Sequence, residues 1–371
     1  MSTKKLTIAL DYDDVLGDCN GYAVKETNER YGTKLTYEDV KSWGSSGSDA
    51  DKRMECFNSK EFFINQPLLP GAQEFVRELA SGENREIFII TAISLQFMEV
   101  RVKRILTEFS EIKKENIIFA NRKELFKTDI LLDDKPDNIL QSTADYRVLF
   151  RRPWNQDMTG MLSVTNYQEF LAMVARIERN GYTAADAVRQ GPFVVSLVGP
   201  SGSGKTAIAA KLAESPLFAI PRSTTTRRRR EGESENAYNF VSDEEFRTMQ
   251  HNGVFLETTA YAGESYGTAK TEIEAILKLG KNAVMPLDVC GVNAMHAAYG
   301  GKAISVFVKR ERIKVISGIL ERNISNAEKA KRLISLEHEY ANRDFCDVTL
   351  QNNGTVDDAA NTLFRMLTQA C

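Results

Sequence analysis

Phe193-Val-Val-Ser-Leu-Val-Gly199-Pro-Ser-Gly-Ser-Gly-Lys205-Thr206 is the stretch on which the fold turns. A strand-length apolar run feeds a glycine-rich turn, and a helix is expected to start near Lys205. G-x-x-x-x-G-K-T between a strand and a helix is a phosphate cradle, the P-loop. Gly199, Gly202 and Gly204, with Ser201 and Ser203 between them, let backbone N–H groups turn inward around a phosphate. The helix start adds its positive end. Lys205 is then placed to reach the β- and γ-phosphates, and Thr206 to coordinate Mg2+. The loop specifies a nucleoside triphosphate donor, ATP being expected, and leaves the acceptor open.

Outward from this loop, short apolar runs alternate with longer helix-periodic segments over all 371 residues, the pattern of α/β architecture with parallel sheets. Before the loop the predicted strands are 6–10, 87–91, 116–120, 130–133 and 147–150. From the loop onward they are 193–198, 283–287, 303–308 and 348–351. Between the halves, Phe170, Met173, Val174 and Ile177 recur at helical spacing within a polar stretch from about Asn166 to Gln190. Asn180-Gly181 and Gly191-Pro192 are turn signals that place a boundary there. Two domains are therefore predicted, 1–180 and 191–371, joined by a linker at 181–190.

Composition limits the function. Apolar residues make up 42% and charged residues 27%, as in ordinary globular chains. The 48 Lys+Arg and 51 Asp+Glu leave a net charge of −3, which counts against a dedicated nucleic-acid binder. The longest apolar runs are strand length, so no membrane partner is expected. Met1-Ser-Thr-Lys-Lys runs straight into the first strand without the apolar core of a signal peptide. Five scattered cysteines without C-x-x-C spacing read as reduced thiols in a cytoplasmic protein.

The first strand ends in Asp11-Tyr12-Asp13-Asp14. Carboxylates there stand at the carboxyl edge of a parallel sheet, where open α/β sheets bind ligands. Two of them repel unless a cation or shared proton intervenes, so Mg2+ is the natural partner. Thr91 and Asp133-Asp134 close later strands at the same edge, and Lys123 can neutralise a phosphate or a nucleophile. This ordered set resembles the haloacid dehalogenase-like phosphatases over roughly residues 5–175. Ser59-Lys-Glu-Phe-Phe, Pro67-Leu-Leu-Pro-Gly-Ala72 and Leu131-Leu-Asp-Asp-Lys-Pro-Asp137 narrow the resemblance to the 5′(3′)-deoxyribonucleotidases. The resemblance implies a Rossmann-like phosphatase core with a small helical cap at about 17–70. It makes Asp11 the nucleophile that forms an aspartyl-phosphate and Asp13 the general acid and base. Thr91 and Lys123 would hold phosphoryl oxygens, and Asp11, Asp13, Asp133 and Asp134 would form the Mg2+ site. Trp43, Phe62 and Phe63 are candidates to stack on a base or to form cap core. Ala92 and Leu95 stand where the family commonly has a hydroxyl residue and a lysine.

After the P-loop come Ser223-Thr-Thr-Thr-Arg227-Arg-Arg-Arg230, Tyr238-Asn-Phe, Phe255-Leu-Glu257 and Tyr266-Gly-Thr268. This series resembles guanylate kinase over 191–371 and implies a P-loop nucleoside monophosphate kinase fold. Family roles place Arg227, Arg230, Tyr238 and Tyr266 on the acceptor monophosphate, and Ser223, Glu257 and Thr268 at the purine. A carboxylate can accept from both N1–H and the 2-amino group of guanine, a pair that adenine lacks. Asp288 would assist Mg2+, and Arg322 and Arg332 fall in lid and hinge-like positions facing the transferring group. Pro286 replaces an acid usual in the family, Ala237 replaces an Asp, and the segment from Glu233 to Tyr238 is about one residue short. These departures fall on the base side and leave phosphate handling intact, so the base stays open.

The combined expectation is a bifunctional nucleotide-metabolism enzyme: a Mg2+-dependent (deoxy)nucleoside monophosphate 5′-phosphatase joined to an ATP-dependent, (d)GMP-type kinase. Its expected partners are nucleoside monophosphates and ATP, with a homo-oligomer compatible with the sequence. Two alternatives remain. Polynucleotide kinase–phosphatases of nucleic-acid end repair also join these two superfamilies, but the net charge and the monophosphate-site series oppose that reading. A guanylate-kinase-like scaffold commonly lacks a working P-loop, and this chain's loop is intact.

Overall fold

The computed structural model describes residues 5–44, 47–158, 160–179, 191–229, 233–235, 237–261 and 264–368. The predicted linker at 181–190 and the candidate Arg230 lie outside the described residues. The chain falls into two compact units, one drawn from Met1–Met158 and Leu162–Leu171, the other including Ala172–Cys371. No helix among the described residues is long and apolar enough to cross a membrane. Cys19, Cys56, Cys290 and Cys346 are free thiols, as their spacing predicts.

The first unit is built on six parallel strands: β1 (Leu6–Leu10), β2 (Arg85–Thr91), β3 (Ile117–Phe119), β4 (Ile130–Asp133), β5 (Tyr146–Phe150) and β6 (Ser163–Val164), in the order β3-β2-β1-β4-β5-β6. β1 is central because Ile8, Ala9 and Leu10 are fully buried, an apolar run suited to a strand covered on both faces. Register follows: Leu10 lies beside Ile89 and Leu132, which brings the residues after β1 next to the ends of β2 and β4. The chain leaves β1 through Asp14, whose φ of 56° is the only positive value among described non-glycine residues. Asp14 accepts from the backbone N–H of Cys19 and Asn20 and from the Asn20 side chain, bonds that hold the turn into helix Cys19–Tyr31. That helix, the 3-10 segment Asp49–Asn58 and the short helix Lys60–Asn65 fill the region expected to be the cap.

In the second unit, β7 (Val194–Val198), β8 (Phe218–Ala219), β13 (Asn282–Pro286), β14 (Ala303–Lys309) and β15 (Val348–Gln351) form a parallel sheet, order β15-β14-β7-β13-β8. Helices Lys205–Leu212 and Val356–Thr368 cover one face through Ile208, Leu212, Leu363 and Leu367. A second sheet, order β10-β9-β12-β11, comprises β9 (Thr224–Thr225), β10 (Asn239–Phe240), β11 (Phe255–Tyr261) and β12 (Glu264–Ala269). No strands are predicted there from sequence. β9 and β10 are two residues long, too short to show period-2 alternation, and β11 pairs with β12 antiparallel through a register irregularity after Phe255.

Two candidate phosphoryl-transfer sites

At the carboxyl edge of the first sheet, β1, β2 and β4 bring Asp11, Thr91, Asp133 and Asp134 together, with Lys123 from the 3-10 turn Lys123–Leu125. All five are nearly inaccessible to solvent. Lys123 Nζ lies 2.8 Å from Asp11 Oδ1 and 2.6 Å from Asp133 Oδ2, a cation bridging two acids. Burial lowers the affinity of the Lys123 ammonium for its proton, but the two carboxylates outweigh it and hold the group charged. Burial raises Asp11 to about 7; Lys123 pulls it down while Asp133 and Asp13 push it up. Asp133 also accepts from the Lys135 backbone at 2.9 Å and from Asn138 Nδ2 at 2.9 and 3.0 Å. Its position is thus set by bonds from three residues.

Asp11, Asp133 and Asp134 each offer an oxygen within 4.8 Å of the others, a grouping able to hold a metal ion. Asp134 Oδ1 is buried with no hydrogen-bond partner among the described residues. A desolvated carboxylate oxygen without a donor is costly unless a cation or proton meets it, so the donor set fits a hard divalent cation such as Mg2+. Asp13 stands outside this trio. Both of its oxygens contact Arg101 Nη2, at 2.8 and 3.1 Å, and Oδ1 accepts from Gln66 Nε2 at 3.0 Å. Arg101 is itself buried, stacks at 3.9 Å over the Tyr12 ring and donates to Thr91 Oγ1 at 3.3 Å.

Sequence reasoning missed Arg101, Gln66 and Asn138, and only Asn138 lies close in the chain to the acid it serves. Phe62 and Phe63 are 4% and 6% exposed. They pack with Tyr22, Phe57 and Phe97 as cap core, which leaves no open ring face for a base.

In the second unit, Gly199 follows β7 and Gly204 precedes helix Lys205–Leu212, at φ 137° and 98°. A Cβ on Gly199 would lie 2.6 Å from the Val308 carbonyl oxygen, and one on Gly204 would lie 2.4 Å from Asn352 Nδ2. The loop therefore requires glycine for both conformation and space. Asn352 donates to the Ser203 carbonyl at 2.6 Å and Arg310 to the Gly202 carbonyl at 2.9 Å, so side chains outside the motif hold its shape. Lys205 Nζ donates to the carbonyls of Gly199 and Pro200. Burial lowers Lys205 to about 8; Arg322 and Arg332 act in the same direction against Glu339. Arg322 and Arg332 both donate to Ser201 Oγ, which brings the two predicted arginines onto the loop. Thr206 is exposed in the first turn of the helix.

Of the residues expected at the acceptor, Glu257, Tyr266 and Thr268 lie on strands of the small sheet, and Ser223, Arg227 and Tyr238 flank its short strands. Thr268 Oγ1 donates to Glu257 Oε1 at 2.5 Å across β11 and β12. Tyr238 and Tyr266 lie with ring centroids 6.1 Å apart. Arg227 sits 5.3 Å over Tyr238 and forms a two-point pair with Glu233 at 2.7 and 3.1 Å. Ser223 precedes β9 and its carbonyl accepts from Asn239. Arg228 and Arg229 are exposed. Asp288, two residues beyond β13, caps helix Val289–Tyr299 by accepting from Gly291 N at 2.8 Å.

Comparison with known proteins agrees with both halves. Residues 192–370 match the family described as guanylate kinase, and residues 4–179 match 5′ nucleotidase, deoxy (pyrimidine), cytosolic type C protein. Guanylate kinase of Helicobacter pylori is 38% identical over 147 residues, 38% of this chain and 71% of that protein. The guanylate kinase of Mycoplasmopsis pulmonis is 32% identical over 183 residues, 47% of this chain and 93% of that protein. A crystal structure of guanylate kinase from Anaplasma phagocytophilum has 22% identity, covers 48% of this chain and 85% of that one, and gives a TM-score of 0.38. The chain belongs to the guanylate kinase family through its C-terminal half and carries a 5′-nucleotidase-type domain in its N-terminal half.

Proposed function

We propose that one chain runs two opposed reactions: hydrolysis of a (deoxy)nucleoside monophosphate in the first unit and ATP-dependent phosphorylation of a (d)GMP-like monophosphate in the second. The observation that carries the reading is the meeting of Asp11, Asp133, Asp134, Thr91 and Lys123 at one sheet edge, in a chain whose other sheet edge bears an intact P-loop.

In the first site Asp11 attacks phosphorus, the bond to the nucleoside oxygen breaks, and Asp13 gives that oxygen its proton. Asp13 then takes a proton from water, which displaces Asp11 from phosphorus and releases phosphate. Thr91 and Lys123 hold the phosphoryl oxygens. Asp11, Asp133 and Asp134 would hold Mg2+, which when bound supplies positive charge against the phosphoryl group. Gln66 and Arg101 fix Asp13 beside Asp11.

In the second site the 199–206 backbone and Lys205 receive the ATP phosphates, and Thr206 would hold Mg2+, which when bound supplies positive charge against those phosphates. Arg227, Arg230, Tyr238 and Tyr266 take the acceptor phosphate, Ser223, Glu257 and Thr268 face the base, and Asp288 would assist Mg2+. Arg322 and Arg332, already on the loop, stabilise charge on the transferring group. Because both reactions on one substrate would be futile, the two sites prefer different bases. The test is a panel of ribo- and deoxynucleoside monophosphates with ATP and Mg2+, read for free phosphate and for ADP. Distinct substrates in the two readouts are expected; identical preferences would overturn the reading.

A further inference from the structure

The sequence has two tryptophans, and both indoles donate to the same atom. Trp43 Nε1 and Trp154 Nε1 each lie 3.0 Å from Asp134 Oδ2. The other oxygen, Oδ1, is the buried atom with no hydrogen-bond partner among the described residues, and Asp134 belongs to the three-acid group. An indole N–H is donor-only, so neither ring can itself become a ligand of the cation. Two such donors on Oδ2 fix the rotation of the carboxylate and leave Oδ1 for the ion. Outer bonds of this kind orient metal ligands.

The two rings arrive from different places. Trp154 sits in the 3-10 turn Pro153–Asn155 beyond β5, beside Asn155, whose Nδ2 holds the Asp134 carbonyl at 2.7 Å. Trp43 comes from the segment between β1 and β2, on the cap side of the unit. The buried Arg53 holds that segment: Nη2 donates to the carbonyls of Ser42 at 2.6 Å and Trp43 at 2.9 Å. Arg53 Nε donates in turn to Asn20 Oδ1 at 2.7 Å, and Asn20 Nδ2 to Asp14 Oδ2 at 2.6 Å. A chain of hydrogen bonds therefore runs from Asp14, in the loop after Asp11, through Asn20 and Arg53 to Trp43 and on to Asp134.

We propose that Trp43 and Trp154 form a two-indole clamp on Asp134 that positions it for the divalent cation. Through Trp43, seating of the cap and cation affinity are thermodynamically linked. The inference rests on the cation site of the proposed nucleotidase, and linkage makes it reciprocal: the cation tightens the cap as the cap tightens the cation.

The test uses the full chain labelled with 15N at the indoles and titrated with Mg2+ alone, without nucleotide. Two indole cross-peaks are present in all, and both are expected to shift along one saturation curve. Trp43→Phe, which keeps an aromatic ring but removes the donor, is expected to weaken Mg2+ binding about tenfold. Raised Mg2+ should then restore its phosphatase turnover, leaving ADP formation by the kinase unchanged. Trp154→Phe should weaken binding likewise, so a cap that fails to fold in one variant does not shelter the proposal. The clamp is overturned if only one indole responds to Mg2+, if neither does, or if both variants bind Mg2+ as the parent does. Response of both indoles in a chain that releases no phosphate would support the clamp and sink the nucleotidase reading instead.

Discussion

Both candidate sites stand at the carboxyl edge of a parallel sheet, yet they are built from opposite materials. The first is a set of buried carboxylates held by Lys123, Arg101, Asn138 and two indoles that reach in from other parts of the unit. The second is a run of backbone held by Asn352 and Arg310, with Lys205, Arg322 and Arg332 as its cations. One collects acids for a cation; the other collects N–H groups and cations for an anion. The net charge of −3 conceals this opposition, because the two sites nearly cancel in the total. A carboxylate cluster demands counter-charges at fixed distance, whereas a phosphate loop carries its donors in the main chain.

The contrast can be broken hardest at Lys123. Lys123→Met leaves Asp11 and Asp133 facing each other without their shared cation, and uncompensated buried charge costs about 3–5 kcal/mol. Phosphatase turnover is expected to fall by about a thousandfold, with kinase turnover retained. Tryptophan fluorescence isolates the stability loss, since both indoles belong to the first unit. Loss of kinase activity in this variant would show that the units do not act separately.

A smaller effect is expected at the acceptor base site. Glu257→Gln keeps the Thr268 contact possible but removes the charge, and preference for a guanine over an adenine monophosphate should drop about a hundredfold. Competition assays reading ADP would measure it; unchanged discrimination would move base reading to other residues.

The smallest effect is a pH dependence that sharpens the comparison. In the second unit Asp347 is pinned as tightly as any acid of the first, accepting from Ser305 N and Oγ at 2.7 Å and from Arg176 at 2.8 Å. Burial pushes Asp347 up, but His296, Arg176 and Ser305 outweigh it and hold the carboxyl at about 2, against 3.8 when unperturbed. A depressed carboxylate stabilises the fold above its unfolded pKa and loses that contribution as pH falls through the folded one. Roughly 2 kcal/mol should therefore disappear between about pH 3.8 and 2. Urea midpoints by circular dichroism across that range would show it, and Asp347→Asn should flatten the slope.

What the sequence revealed follows the same division. The P-loop was legible because its motif is contiguous, and two of its glycines, Gly199 and Gly204, stand where a Cβ has no room. Asp11, Thr91, Asp133 and Asp134 were legible because each closes an apolar run. Arg101 and Gln66 were not, because they lie 88 and 53 residues from Asp13, and no local pattern marks an arginine that will be buried. Trp43 showed only its ring, whereas its N–H, aimed at an acid 91 residues away, is what the fold uses. Two strands of the small sheet, β9 and β10, were illegible for a different reason: two-residue strands carry no period.

The central claim, two separate sites running opposed reactions, is tested most directly by Asp11→Asn and Lys205→Ala in the full chain. Each variant is assayed with ATP, Mg2+ and the monophosphate panel for free phosphate and ADP together. Asp11→Asn is expected to abolish phosphate release and leave ADP formation at the parent rate, and Lys205→Ala to do the reverse. Either substitution silencing both products, or neither silencing its own, would contradict the account.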